Sequence, residues 1–168
     1  YNGTYGAGTT NGLPGVPFFG ASGELGAAMN NSLITGFITT PGVNINTNTV
    51  TMVCWANLST SAETNPCGLV FCRTNATVAG SQIGGANGFV YTWNNNSATY
   101  NYSSGLSLPS GSWCFLVLAV TPNDATLYAG NFGTLHSANQ PLAQPVQSFA
   151  GGFAIGADPQ STTLPARI

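Results

Sequence analysis

Gly111-Ser112-Trp113-Cys114-Phe115-Leu116-Val117-Leu118-Ala119-Val120-Thr121 runs into Pro122-Asn123-Asp124 and then into Ala125-Thr126-Leu127-Tyr128-Ala129-Gly130. The segment Ser112–Thr121 is apolar on both alternating faces, which predicts a central strand covered from two sides. Proline pre-sets the first corner of the turn that follows, and Asn and Asp tolerate the next, so Ala125–Gly130 returns antiparallel to it.

Outward from this hairpin, strand signals recur at Leu33–Thr39, Thr49–Asn57, Gly68–Arg73, Gly88–Trp93, Ala98–Tyr102 and Gly152–Gly156, with turn-rich sequence between them. That rhythm predicts an all-β sandwich or barrel. Within Thr49–Asn57, Val50, Met52, Cys54 and Ala56 fall on one face and Thr51, Val53, Trp55 and Asn57 on the other, so the first face belongs to the core. Residues 1–32 are rich in Gly, Asn and Pro and read as an irregular lead-in to a single domain spanning 1–168. No helix-period segment, internal repeat or linker divides the chain.

Only 4% of the 168 residues are charged: Arg73, Arg167, Glu24, Glu63, Asp124 and Asp158. Two basic residues cannot neutralise several phosphates or hold an anionic leaflet, so nucleic acid and membrane surfaces are not expected partners. The longest apolar run, Trp113–Val120, is far short of the roughly 20 residues that cross a bilayer as a helix. Polar character comes from Asn, Thr, Ser and Gly, a composition that favours strands and turns over helices. Solubility without charge suits a secreted or cell-surface protein better than the cytosol.

Four cysteines, Cys54, Cys67, Cys72 and Cys114, allow three complete disulfide pairings or buried free thiols. If Gly68–Phe71 is extended, Cys67 and Cys72 lie about 16 Å apart, so a bridge between them requires a turn. His136 is far from all four in sequence, which argues against a zinc site.

Two stretches, Asn48–Asn57 and Gly111–Gly133, resemble the hallmark strands of the laminin-G-like, concanavalin A-like jelly-roll superfamily: an alternating Thr/apolar run reaching Trp55, and a Trp-led hairpin ending in Leu127-Tyr128 and a small turn. Gly68–Arg73, Gly88–Trp93 and Phe153-Ala154-Ile155-Gly156-Ala157-Asp158 follow in the family's order. The resemblance covers about Leu33 to Ile168, and its nearest look-alikes are Asn- and Thr-rich modules of large exported bacterial proteins. It implies a jelly-roll β-sandwich of two antiparallel sheets. It also implies a last strand after the Ile155-Gly156 turn, where this sequence stops at Ile168. The expectation is an open edge beside Gly152–Gly156, to be covered by further sequence, by another chain through strand complementation, or by the lead-in.

Catalysis is not expected. The only histidine, His136, lies in the polar stretch Thr134–Asn139, read as a loop, and the four carboxylates are isolated, whereas glycoside hydrolysis needs an acid pair roughly 5–10 Å apart. The resemblance implies calcium as a possible cofactor, with Asp158 and Asp124 as candidate ligands, although each also reads as a simple turn residue. Carbohydrate binding needs flat aromatic faces beside amide groups, and Tyr91, Trp93, Asn94, Asn95, Asn96, Tyr100, Asn101 and Tyr102 supply that mixture within 12 residues. The same residues also read as aromatic pairs packed across a hairpin turned at Asn94–Ser97. Six Asn-x-Ser/Thr sequons, at Asn2, Asn30, Asn57, Asn75, Asn95 and Asn101, are only a mild excess over what this composition produces by chance. The functional expectation is an extracellular, non-catalytic recognition or adhesion module with a glycan as ligand. The alternative is a structural module packing against neighbouring subunits.

Overall fold

The computed structural model describes residues 38–57, 67–74, 77–85, 88–131 and 133–158, and the strand segments 4–5, 9–11 and 29–31. In chain order the elements are β1 (Thr4–Tyr5), β2 (Thr9–Asn11), β3 (Met29–Asn31), β4 (Ile38–Thr39), β5 (Asn46–Thr47), β6 (Val50–Asn57), β7 (Cys67–Arg73), β8 (Val78–Ile83), β9 (Phe89–Thr92), the one-turn helix α1 (Ser97–Tyr100), β10 (Trp113–Val120), β11 (Ala125–Asn131), β12 (Thr134–Gln140), β13 (Gln147–Ser148) and β14 (Phe153–Ile155). Two sheets dominate, ordered β1-β4-β14-β7-β8-β9 and β12-β11-β10-β6, and every strand pairing in them is antiparallel.

The deciding hairpin forms as read. β10 pairs with β11 from Val120–Ala125 back to Phe115–Gly130, and on its other side with β6. Its burial alternates strictly: Cys114, Leu116, Leu118 and Val120 are buried, while Trp113, Phe115, Val117 and Ala119 are half-buried. Met52 and Ala56 of β6 and Ala125, Leu127 and Ala129 of β11 join the buried face. From the six-stranded sheet Leu69, Cys72, Ala79, Ile83, Phe89 and Tyr91 meet them in one core. Each fully buried Leu or Phe contributes about 1.5–3 kcal/mol of transfer free energy, which is what holds the two sheets face to face. The second face of β10 is half-buried, and on it the Phe115 ring lies 5.4 Å from the Trp55 ring of the neighbouring strand.

Four expectations are corrected. Ala98–Tyr102 is not a strand: Asn94 and Asn95 take left-handed backbone (φ 53° and 50°) and Asn96 caps α1 by accepting from the Ala98 amide at 2.9 Å. Asn tolerates that conformation, and its side chain competes for backbone donors, so the chain coils where strand pairing was expected. Thr134–Asn139 is not a loop but most of β12, paired along its length with β11; an edge strand exposed on both faces carries no apolar alternation to betray it. β8 escaped for the opposite reason. It lies between β7 and β9, so its small and polar residues Gly80, Ser81 and Gln82 are buried on both faces.

The fourth correction concerns the open edge. β14 pairs with β4 on one side and β7 on the other, so no open edge flanks it. β4 in turn pairs with β1, so part of the lead-in enters the sheet. The final residues 159–168, where a last strand was expected to start, lie outside the described residues, as do residues 33–37 of the predicted strand Leu33–Thr39.

Candidate functional site

Arg73, Gln82 and Thr92 come from three adjacent strands and point away from the core. In β7 the register shifts between Gly68 and Val70, so Leu69 is an extra residue; Gly68, Phe71 and Arg73 then oppose Gln82, Gly80 and Val78 on one face. The bulge re-aims the second half of the strand, and without it Arg73 would face the interior. Two glycines clear space above this face. A Cβ at Gly68 would run into the carbonyl group of Ala157, and one at Gly80 would run into Phe71. The chain therefore turns after β14 through Gly156 (φ 90°) and crosses the sheet close to Gly68, which delivers Asp158 to Arg73.

The result is a buried polar network. Arg73 grips Asp158 with two parallel bonds, Nε to Oδ1 at 2.5 Å and Nη2 to Oδ2 at 2.6 Å. Gln82 donates Nε2 to Asp158 Oδ2 at 3.5 Å and accepts from Thr92 Oγ1 at 2.7 Å. Beneath it the Phe71 ring lies 5.2 Å from the guanidinium carbon, a cation–π contact that holds the planar fork flat. Gln82, Thr92 and Asp158 are buried, and such a network is tolerated only when its members satisfy one another.

A cavity of about 500 Å³ opens over this network. Arg73, Gln82, Val90, Thr92 and Asp158 form part of its lining, and Asn95, Tyr100, Asn101 and Tyr102 another. The aromatic wall comes from the coiled segment after β9. Thr99, buried beneath it, accepts from the Trp93 amide at 3.0 Å and donates to the Asn96 carbonyl at 2.7 Å, which fixes α1 against the sheet. Tyr100 is 44% exposed at the rim. Tyr102 donates to the Asn139 carbonyl at 2.9 Å and meets Tyr91 edge-on at 6.5 Å.

The predicted aromatic set is thus divided. Asn95, Tyr100, Asn101 and Tyr102 line the cavity, but Tyr91 and Trp93 do not, because both are fully buried. Trp93 donates its indole N–H to the Pro145 carbonyl at 2.7 Å and packs on Phe149. The Tyr91 hydroxyl donates to Gln140 Oε1 at 2.6 Å and accepts from Gln144, while burial pushes its pKa up to about 12. Asn94 and Asn96 build the turn and the cap.

Sequence reasoning missed Arg73, Gln82 and Thr92. One signal was legible: a lone Arg in an otherwise apolar strand requires an acidic partner.

The two metal candidates are both engaged by other groups of the chain. Asp158 has both oxygens engaged by Arg73, and Asp124 closes the β10–β11 turn, accepting from Thr121 Oγ1 at 2.6 Å. Among the described residues no three His, Cys, Asp or Glu gather, whereas calcium takes six to eight oxygens. Cys54, Cys72 and Cys114 are free thiols, and burial raises all three, Cys54 to about 12. The Cys67 side chain, Glu24 and Glu63 lie outside what is described. Cys67–Arg73 is a strand, so the turn that a 67–72 bridge needs is absent. His136 stands exposed on β12 beside a second cavity of about 480 Å³ with Leu106, Leu108 and Ala129; no Phe, Tyr or Trp ring and no charged pair lines that cavity.

Residues 31–168 match the family described as the Concanavalin A-like lectin/glucanases superfamily. Among solved structures, the chain is similar to domain 4 of AbnA, a GH43 extracellular arabinanase from Geobacillus stearothermophilus, in complex with arabinotriose. The identity is 17% and the TM-score 0.63, over 98% of this chain and 78% of that one, a likeness of fold. No curated protein matches the chain.

Proposed function

The chain belongs to the Concanavalin A-like lectin/glucanases superfamily, and from that membership we propose that it is an extracellular, non-catalytic carbohydrate-binding module. The observation that carries the reading is the cavity over β7, β8 and β9, which Tyr100 and Tyr102 line together with Asn95, Asn101 and the Thr92–Gln82–Asp158–Arg73 network. Ring faces pack against sugar C–H surfaces, while amide, hydroxyl and fork groups meet the hydroxyls. The volume falls within the roughly 300–1,000 Å³ of small-ligand sites. That a fold neighbour was solved with an oligosaccharide supports the class of ligand. The non-catalytic part rests on the carboxylates: Asp158 is tied to Arg73 and Asp124 to its turn, so neither is placed to work as one of an acid pair. Secretion rests on composition, since three of the cysteines are unpaired thiols.

Calorimetric titration with a panel of oligosaccharides, arabinotriose among them, with and without added calcium, tests the proposal. Saturable binding without calcium is the expected result, and no binding to any member would remove the reading. A second reading, a structural module that packs against neighbours, is favoured by the outer face of the four-stranded sheet, where Val53 and Leu135 are more than half exposed near Trp55 and Phe115. Sedimentation over a concentration series separates it: assembly without glycan binding supports packing.

A further inference from the structure

We infer that the cavity over β7–β9 selects neutral glycans and discriminates against acidic ones, because the guanidinium that would recognise an acid is already held by a carboxylate of this chain. The inference rests on the carbohydrate-binding reading and adds the substrate class. Arg73 is the only Lys or Arg among the described residues, and its Nε and Nη2 edge, the fork that matches a carboxylate, is filled by Asp158. A uronate or sulfate entering the cavity would have to displace a carboxylate that the chain itself presents in place, held by the backbone crossing at Gly68 and by Gln82. Displacement would strand Asp158, which is 5% exposed, as a buried and unpaired anion. Without displacement, the ligand's charge would meet Asp158 as a like charge in a partly desolvated site. A sugar hydroxyl meets neither obstacle, since it can donate to carboxylate or amide oxygens and accept from N–H groups without upsetting the charge balance of the Arg73–Asp158 pair.

The test compares a neutral trisaccharide, arabinotriose, with trigalacturonate, both titrated at low and high salt. The wild-type chain should bind the neutral sugar with an affinity that salt changes by less than about twofold, and bind the acid at least about tenfold more weakly, 1.4 kcal/mol. Asp158→Asn leaves Arg73 uncompensated, so trigalacturonate should gain about tenfold and lose that gain at high salt. The double variant Arg73→Gln/Asp158→Asn removes both charges and should show no gain. Equal or tighter wild-type binding of the acid would overturn the inference, as would a folded Asp158→Asn chain that gains nothing. If the single variant does not fold, the wild-type ratio and its salt dependence decide by themselves. Failure of the wild type to bind either sugar would instead bring down the carbohydrate reading, so the two failures are distinguishable.

Discussion

The two outward faces of this sandwich are built from similar strands and present opposite chemistry. On the four-stranded sheet the register lines up Trp55, Phe115, Gly130 and Leu135 in one row and Val53, Val117, Tyr128 and Ser137 in the next, an uncharged and largely apolar surface. On the six-stranded sheet the equivalent face carries Arg73, Gln82 and Thr92, roofed in part by Ala157 and Asp158. The difference lies in local irregularity. β10 and β11 run in unbroken register, so side chains alternate regularly on their outer face, whereas β7 has a bulge and two glycines lie close by, so a loop approaches closely beside the polar cavity. An apolar, uncharged face suits packing, and a polar cavity suits recognition of a small ligand.

The largest effect should come from what lies beneath the cavity-bearing face. Trp93→Ala should cost about 3–5 kcal/mol, seen as a large fall in thermal midpoint, with ligand affinity intact in whatever fraction remains folded. A mild loss of stability with complete loss of binding would return Trp93 to the binding surface.

Alkaline pH should come next. Folding raises Tyr91 from 10 to about 12 and Cys54 from 9 to about 12, so the folded chain holds these protons more tightly than the unfolded one. The associated stability is therefore fully present below about pH 9 and is lost as pH rises towards about 12. Denaturant midpoints measured from pH 8 upward should stay level and then decline; a flat profile would mean that these groups are more hydrated than their burial implies.

A smaller and more selective effect is expected at the rim. Tyr100→Ala removes a half-exposed ring, so stability should stay within about 0.5 kcal/mol, while glycan affinity drops about tenfold. Unchanged affinity would break the contrast drawn between the two faces. Least of all should be felt on the apolar face, where Val53→Thr with Leu135→Thr should leave glycan titrations unchanged and stability within about 1 kcal/mol. Reduced self-association in sedimentation would then assign that face to packing, and a loss of glycan binding would contradict the division of labour.

How much of this was legible follows from where each residue's partners lie. The inner face of β6, the β10–β11 hairpin and its Pro122-Asn123-Asp124 turn were readable because strand period, apolar content and turn chemistry are all local and agree with one another. β12 and β8 were not readable, since one is exposed and the other buried on both faces and neither shows alternation. Part of the aromatic cluster lines the cavity and part is buried, and period alone could not say which ring faced the core. Tyr91 and Trp93 lie on and just after β9, while Tyr100 and Tyr102 follow a reversal made by three asparagines.

The spacing of strands and turns in the sequence reads as all-β, its resemblance to a known family implies two antiparallel sheets, and residues 91–102 stand out as an aromatic, amide-rich segment. The tertiary structure alone decided the rest: that Arg73 and Asp158 meet, that Gln82 and Thr92 lie buried beside them, and that β4 flanks β14. The physical reason is sequence separation. Arg73 and Asp158 are 85 residues apart, and nothing in the period or propensity of either segment encodes a contact created by a bulge at Leu69 and a close backbone crossing at Gly68.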